Sequence, residues 1–224
     1  MNWAAAISLR IVDAFRSAAD TLENAVEKVR DNRLRRRLAN TVGAEFSDDY
    51  TTSHETVWKG CLESFIGKPD IHLLEVGVFE GRSTLWFLEN VLTHPTSRIT
   101  CIDSFGRSGG EASFDHNVEV SGHVRRVTKM KGLSVDVLPT LSSRAFDVVY
   151  VDGSHRAVDV LMDAVLCWPL LKAGGVMIFD DYLWETERPS SRRPQMAIDL
   201  FLTMVREEAR VLHKEYQVAV ARRY

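Results

Sequence analysis

Cysteine is scarce: the 224 residues hold three, Cys61, Cys101 and Cys167, widely spaced and odd in number. That excludes a disulfide framework and fits reduced, mostly buried thiols in a cytosolic protein. No Cys/His cluster with zinc spacing occurs either. No apolar run reaches the roughly 20 residues that a membrane span needs. The opening MNWAAAISLR lacks an early basic cluster, and Arg10 and Asp13 interrupt its apolar stretch. A secretory leader is therefore not expected, and a cytoplasmic location is. The formal net charge of −3 gives no global pull toward nucleic acid or anionic membranes, so neither is an expected partner. Internal repeats and low-complexity segments are absent.

What is present is ordinary globular composition, 45% hydrophobic and 26% charged, with enough length for one full domain and a modest extension. Residues 1–40 read as one long amphipathic helix or two broken ones. Ile7, Ile11, Phe15, Ala18, Leu22, Val26 and Val29 recur at helical spacing and form one apolar stripe. The stripe suits a helical cap or a homodimer contact. Arg30, Arg33, Arg35, Arg36 and Arg37 follow it as a basic run, read as a solvated helix end or an anion-binding patch. Residues 40–52 read as a linker, which divides the chain into an N-terminal helical segment, 1–52, and a main domain, 53–224. Thr52 and Glu55 have capping-box spacing for a helix running to about residue 66.

From there strand and helix patterns alternate. Strands are expected at 71–76, 98–103, 125–130, 146–152 and 175–180. Helices are expected near 82–93, 113–121, 134–140, 155–168 and 194–209, and two short strands close the tail. This alternation predicts an α/β fold: a doubly wound, mostly parallel seven-stranded Rossmann-like sheet with helices on both faces. Ligands of such sheets sit beyond the carboxyl ends of the strands. There the chain places Glu75 and Gly77, then Asp103, then Lys131, Gly132 and Ser134, then Asp152 and His155, then Asp180 and Asp181.

The segment IHLLEVGVFEGRST, 71–84, is a strand, a glycine turn and a helix start. Its spacing is G-x-x-x-G, Gly77 to Gly81, with Glu75 and Glu80 flanking the turn. Those carboxylates repel a pyrophosphate, which argues against an NAD-dependent oxidoreductase. They suit a ligand carrying an ammonium and a sulfonium, and S-adenosylmethionine (SAM) has both. Asp103, 22 residues beyond Gly81, is placed to accept ribose hydroxyls. Ser83 and Ser104 stand beside these groups as further cofactor-binding candidates.

FDVVYVDGSH, 146–155, delivers Asp152 from a buried strand, and GGVMIFDDYLW, 174–184, delivers Asp180 and Asp181 from the next. Adjacent carboxylates need a compensating cation. With Asp152 they offer three hard oxygen ligands, which suits Mg²⁺ and accommodates Ca²⁺ or Mn²⁺. His155 lies three residues past Asp152, where an imidazole takes a proton near neutral pH. Tyr182 and Trp184 are candidates to wall a substrate pocket. FGRSGGEAS, 105–113, reads as a lid or as a plain connection.

In order and spacing, LLEVGVFEGRST, ITCIDSF and the long segment 146–184 resemble the class I SAM-dependent methyltransferases over about residues 55–224. The third segment is similar to the metal-dependent small-molecule O-methyltransferases, especially the macrocin O-methyltransferase type and more distantly catechol O-methyltransferase. The resemblance implies Mg²⁺ on Asp152, Asp180 and Asp181, and SAM contacts from the glycine turn, from Asp103 and from a turn at Lys131, Gly132 and Ser134. It implies methyl transfer to a hydroxyl of a small molecule, a sugar or a phenolic natural product. The chain departs from the catechol enzymes in having His155 where they have a lysine base, and Asp181 where they have Asn. A metal-independent methyltransferase and a non-catalytic SAM-binding protein are the alternative readings.

Overall fold

The computed structural model describes residues 43–224, and Gly43–Tyr224 forms one compact unit. The amphipathic stripe, the arginine run and the homodimer contact expected of the first helix lie outside the described residues.

The main domain is a seven-stranded sheet in the order β3-β2-β1-β4-β5-β7-β6. Strands β1 (His72–Val76), β2 (Arg98–Asp103), β3 (Val127–Lys131), β4 (Phe146–Val151) and β5 (Leu171–Phe179) are parallel. Strands β6 (Ala209–Lys214) and β7 (Val218–Arg222) form a hairpin whose second strand runs antiparallel to β5. The chain order reverses between β1 and β4, the place where such sheets open a crevice for ligands.

Successive strand residues point to opposite faces, and both faces are buried. Leu74, Val76, Val149, Val151, Met177 and Phe179 pack against helices α5 (Ala157–Cys167) and α6 (Pro194–Met204). On the other face Leu73, Ile99, Cys101, Val148 and Ile178 meet α1 (Glu55–Cys61), α2 (Arg82–Asn90) and α3 (Gly110–Val120). Trp58 anchors that layer, with ring centroids 4.7 Å from Phe87 and 5.2 Å from Tyr150. A short helix, α4 (Ser134–Val137), follows β3. No helix among the described residues is long and apolar enough to cross a membrane.

Three local expectations change. The capping box does not form: His54 is the N-cap of α1 without a side-chain bond, and the Thr52 hydroxyl instead accepts from Arg82 at 2.9 Å. That helix ends at Cys61 and gives way to a 3₁₀ turn, Glu63–Phe65. Strand β5 begins at Leu171 rather than at 175, with both glycines of the Gly174–Gly175 pair inside it and a register shift between Phe146 and Val148 opposite. Residues 43–52, expected as a linker, pack on the domain. Glu45 N–H donates to Asn117 Oδ1 at 2.7 Å, and Asp49 pairs with Arg82.

Candidate active site

The first half of the rim is built by the β1 turn. Gly77 has φ +85°, and a Cβ there would stand 2.7 Å from the Gly153 Cα and collide with the Asp152 carbonyl. Only glycine lets the β1 and β4 ends come this close. Gly81, φ +81°, caps α2 and lies against Phe114, whose ring a Cβ would meet at 2.8 Å. Both glycines of the motif are thus fixed by packing as well as by backbone conformation.

Glu75 departs from its expected role as a cofactor contact. It is fully buried under the turn and is not among the residues that line the cavity. The Ser83 hydroxyl donates to one carboxylate oxygen, and Thr84 Oγ1 donates to the other at 2.6 Å. Burial, opposed by those two hydroxyls, pushes its carboxyl up to about 7. Glu75 therefore ties β1 to the first turn of α2, and the cavity wall at Ser83 rests on it. Glu80 does line the cavity, and its Oε2 accepts from the Ser47 N–H at 2.6 Å.

Asp103 also faces the cavity, but it is heavily engaged. Oδ2 accepts from Val78 N–H at 2.8 Å and Phe79 N–H at 2.9 Å, and Oδ1 accepts from Phe105 N–H at 2.6 Å. A carboxylate has about four lone-pair sites, so capacity remains for a ribose hydroxyl. Ser104, Gly132 and Ser134 line the same wall. Lys131 turns away from it and pairs with Glu111 on the outside. The expected 105–113 loop is half helical, since α3 starts at Gly110, and Arg107 covers the Phe79 ring at 4.7 Å.

The second half of the rim is acidic. Asp152 N–H donates to Val76 O at 2.8 Å and Asp180 N–H to Val151 O at 3.0 Å, so the ladder brings three adjacent strand ends level. Asp181 has φ +60°, a left-handed conformation that costs a non-glycine residue roughly 1–3 kcal/mol. From there its Oδ2 sits 2.7 Å from His155 Nε2, and Oδ1 accepts from the Tyr216 hydroxyl at 2.9 Å. His155 stacks on Trp184, centroids 4.2 Å apart. Asp152, His155 and Asp181 each bring one ligand atom within 4.8 Å of the others.

Asp180 is placed differently from the sequence expectation. It lies beside that group rather than in it: its carboxylate accepts from the Tyr150 hydroxyl and from Asp181 N–H at 2.7 Å, and it faces His54 Nε2 at 3.9 Å. Buried strand neighbours turn it toward Tyr150, and His155 takes its place among the close ligand atoms. Asp152 is held well above the usual carboxylate range, first by burial and then by the charges of Asp180 and Asp181. Asp180 is likewise raised by burial, with His54 opposing. Two carboxylates and an imidazole within ligand distance, with the Asp180 carboxylate beside them, are a donor set that a divalent cation fits.

Both halves open into one cavity of about 1260 Å³. Ligand pockets usually run to about 1,000 Å³, so this one has room for a nucleoside-sized ligand and a second molecule. Its wall includes residues the sequence did not single out: Asp48, Asp49, His54, Tyr216 and Gln217. Gln217 is 1% exposed, and its amide makes no well-aligned hydrogen bond, although it stands close enough to Asp180 to favour that carboxylate's charged form. Only long-range packing gathers these groups, because the hairpin carrying Tyr216 and Gln217 follows β5 by some thirty residues. Trp184 lines the cavity as expected, whereas Tyr182 is buried and donates to Asp199 at 3.0 Å.

Residues 74–182 match a family profile described as a methyltransferase domain. The O-methyltransferase hkm8 of Aspergillus hancockii is 31% identical over 110 residues, 49% of this chain and 42% of that protein. The chain spans about half the length of the curated relatives it matches. The fold is shared with the O-methyltransferase of Bacillus cereus in complex with SAH, at TM-score 0.58 and 17% identity over 88% of this chain and 91% of that one. It is shared also with MycE, a methyltransferase of the mycinamycin biosynthetic pathway in complex with Mg and SAH. That likeness has TM-score 0.58 and 16% identity over 79% of this chain and 51% of that one. Residues 74–182 are thus similar to a methyltransferase domain, and the fold is one shared with solved methyltransferases.

Proposed function

We propose that this protein transfers the methyl group of SAM to a hydroxyl of a small molecule, with a divalent cation at the acidic rim. One observation carries the reading. A single cavity joins the glycine turn and Asp103 to the group of Asp152, His155 and Asp181. SAM supplies an activated methyl on a sulfonium, and a hard cation held by Asp152 and Asp181, with Asp180 behind them, would lower the pKa of a hydroxyl beside it.

The protein's own residues do the rest. Glu80 and Asp103 hold the cofactor by charge and by its ribose, on the loop that Glu75 braces. His155 takes the hydroxyl proton on the ring nitrogen that does not face Asp181, and Asp181, 2.7 Å from Nε2, stabilises the imidazolium that forms. The acceptor oxygen bonds to the methyl carbon in line with the breaking S–C bond, whose electrons remain on the sulfur of S-adenosylhomocysteine. Holding two reactants in this geometry supplies roughly 7–11 kcal/mol of the barrier reduction. The His155–Asp181 pair already in place favours a second reading, proton abstraction without a metal.

Calorimetric titration of SAM and of NAD, each with Mg²⁺ and with EDTA, tests the proposal. SAM is expected to bind in both media and NAD in neither. Failure of SAM to bind would remove the basis for methyl transfer. Once an acceptor is found, activity that persists in EDTA selects the metal-free reading.

A further inference from the structure

We propose that Tyr216, at the tip of the β6–β7 hairpin, is a positioning residue that holds the Asp181 carboxylate in place for a divalent cation. The assignment rests on the cation reading above and concerns a residue outside the close group of Asp152, His155 and Asp181. Asp181 needs such a hold. Its φ of +60° is a conformation that a non-glycine residue keeps only where its surroundings over-determine it. Within the turn itself, Trp184 N–H donates to the Asp181 carbonyl at 2.9 Å and Asp181 N–H to Asp180 Oδ1 at 2.7 Å. Those bonds fix the backbone and leave the carboxylate free to rotate about its own side-chain bonds.

Tyr216 supplies the remaining constraint, and the register of the sheet explains why it is there. Strand β7 pairs antiparallel with β5, and Phe179 is opposite Val218. Extending that pairing past the strand ends brings Gln217 to Asp180 and Tyr216 to Asp181, one tail residue for each acid. The ladder does continue, because Tyr182 N–H donates to the Tyr216 carbonyl at 2.8 Å. Glu215 N–H closes the hairpin tip on the Gln217 carbonyl at 2.9 Å, and the Tyr216 ring stacks on His54, centroids 5.7 Å apart and planes at 16°. From this fixed ring the hydroxyl donates to Asp181 Oδ1 at 2.9 Å, which leaves Oδ2 turned to His155 Nε2 at 2.7 Å. One carboxylate oxygen is thus committed to Tyr216 and the other is presented to the donor group. A carboxylate ligand oriented by an outer hydrogen bond holds a metal more tightly than one left to rotate.

The test is titration of the full chain with Mn²⁺, read by the electron paramagnetic resonance of the free ion, which needs no acceptor. Mn²⁺ suits the same hard donors as Mg²⁺. Tyr216→Phe keeps the ring and the backbone bond and removes only the hydroxyl. It should weaken Mn²⁺ binding on the order of 10-fold and leave the unfolding midpoint within a few degrees of wild type. Asp181→Ala should weaken binding as well. Adding Tyr216→Phe to it should change the affinity by less than about 2-fold further, because the hydroxyl then has nothing to orient. Wild-type affinity in Tyr216→Phe overturns the assignment. A further loss of about 10-fold in the Asp181→Ala background also overturns it, since Tyr216 would then act as a prop for the rim at large. No binding of Mn²⁺ by the wild type would remove the cation reading itself, and the assignment with it, whereas SAM titration of the same sample reports on the cofactor half alone.

Discussion

The two halves of the rim use carboxylates in opposite ways. At the β1–β2 half, Glu75 and Asp103 are each held by the protein's own donors: two hydroxyls hold the one and three backbone N–H groups the other, which leaves Asp103 room for one more. At the β4–β5 half, Asp152, Asp180 and Asp181 crowd together, and burial and mutual charge raise Asp152 and Asp180. Carboxylates held by protein donors fix a loop and leave a preformed cradle. Crowded ones keep an unmet demand for positive charge, which a cation, a proton on His155 or both can supply. Burial alone does not separate these roles, since Glu75 and Asp180 are both buried; the donors around each do.

The joint between the halves is the place to break the comparison most severely. Gly77→Ala puts a Cβ into the Asp152 carbonyl at φ +85°, so either β1 or β4 must shift. We expect a loss of about 4 kcal/mol or more, within reach of unfolding a marginal domain. Thermal denaturation followed by circular dichroism measures it, and a midpoint within a few degrees of wild type would show that the strand ends are not locked together.

Asp181→Ala acts on the acidic half alone. Turnover should fall on the order of 10³-fold, while SAM affinity, set by the other half, changes by less than about 3-fold. Equal losses in both would mean that the halves are not functionally separate.

How far the sequence discloses this division follows from its physics. The glycine turn, the strand ends and the acidic residues are local patterns, and the sheet order turns them toward one rim whatever the side-chain details. Glu75 could not be placed from sequence, because a carboxylate at a strand end reads as a ligand contact until Ser83 and Thr84 are seen to hold it. The substitution of His155 for Asp180 among the close ligand atoms depends on the left-handed turn at Asp181 and on the Tyr150 hydroxyl, which is on the neighbouring strand. His54 and Gln217 reach the cavity only through packing between segments distant in sequence. The Thr52–Glu55 capping box failed because Arg82 and Asp49 draw the preceding segment onto the domain.

A milder change sharpens the β1–β2 half. Glu75 titrates near 7 in the fold and about 4.3 in an unfolded chain, so the folded state keeps its proton longer. Its contribution to stability is therefore greatest below the unfolded value, declines as pH rises through that window and is lost above about 7. Glu75→Gln removes the titration while keeping the size. Relative to wild type, the variant should gain on the order of 2–3 kcal/mol between pH 5 and pH 8, read from urea unfolding at each pH. A constant difference across that range would show that Glu75 is not protonated in the fold, and the brace would then be an ionised carboxylate.

The smallest effect should have the opposite sign from most core substitutions. Gln217 is almost as buried as Glu75, yet its amide makes no well-aligned hydrogen bond. A buried amide left unpaired costs the fold roughly 1–3 kcal/mol, and a methionine of similar volume carries no such cost. Gln217→Met should thus be neutral or stabilise the free protein by about 1 kcal/mol. The same change should weaken acceptor binding, because it removes a donor and acceptor from the cavity wall beside Asp180, and leave SAM binding unaltered. A fall in the unfolding midpoint would mean that the amide is held by ordered water or by the Asp180 carboxylate. The acidic half would then be as internally satisfied as the glycine half, and its demand would be for the cation alone.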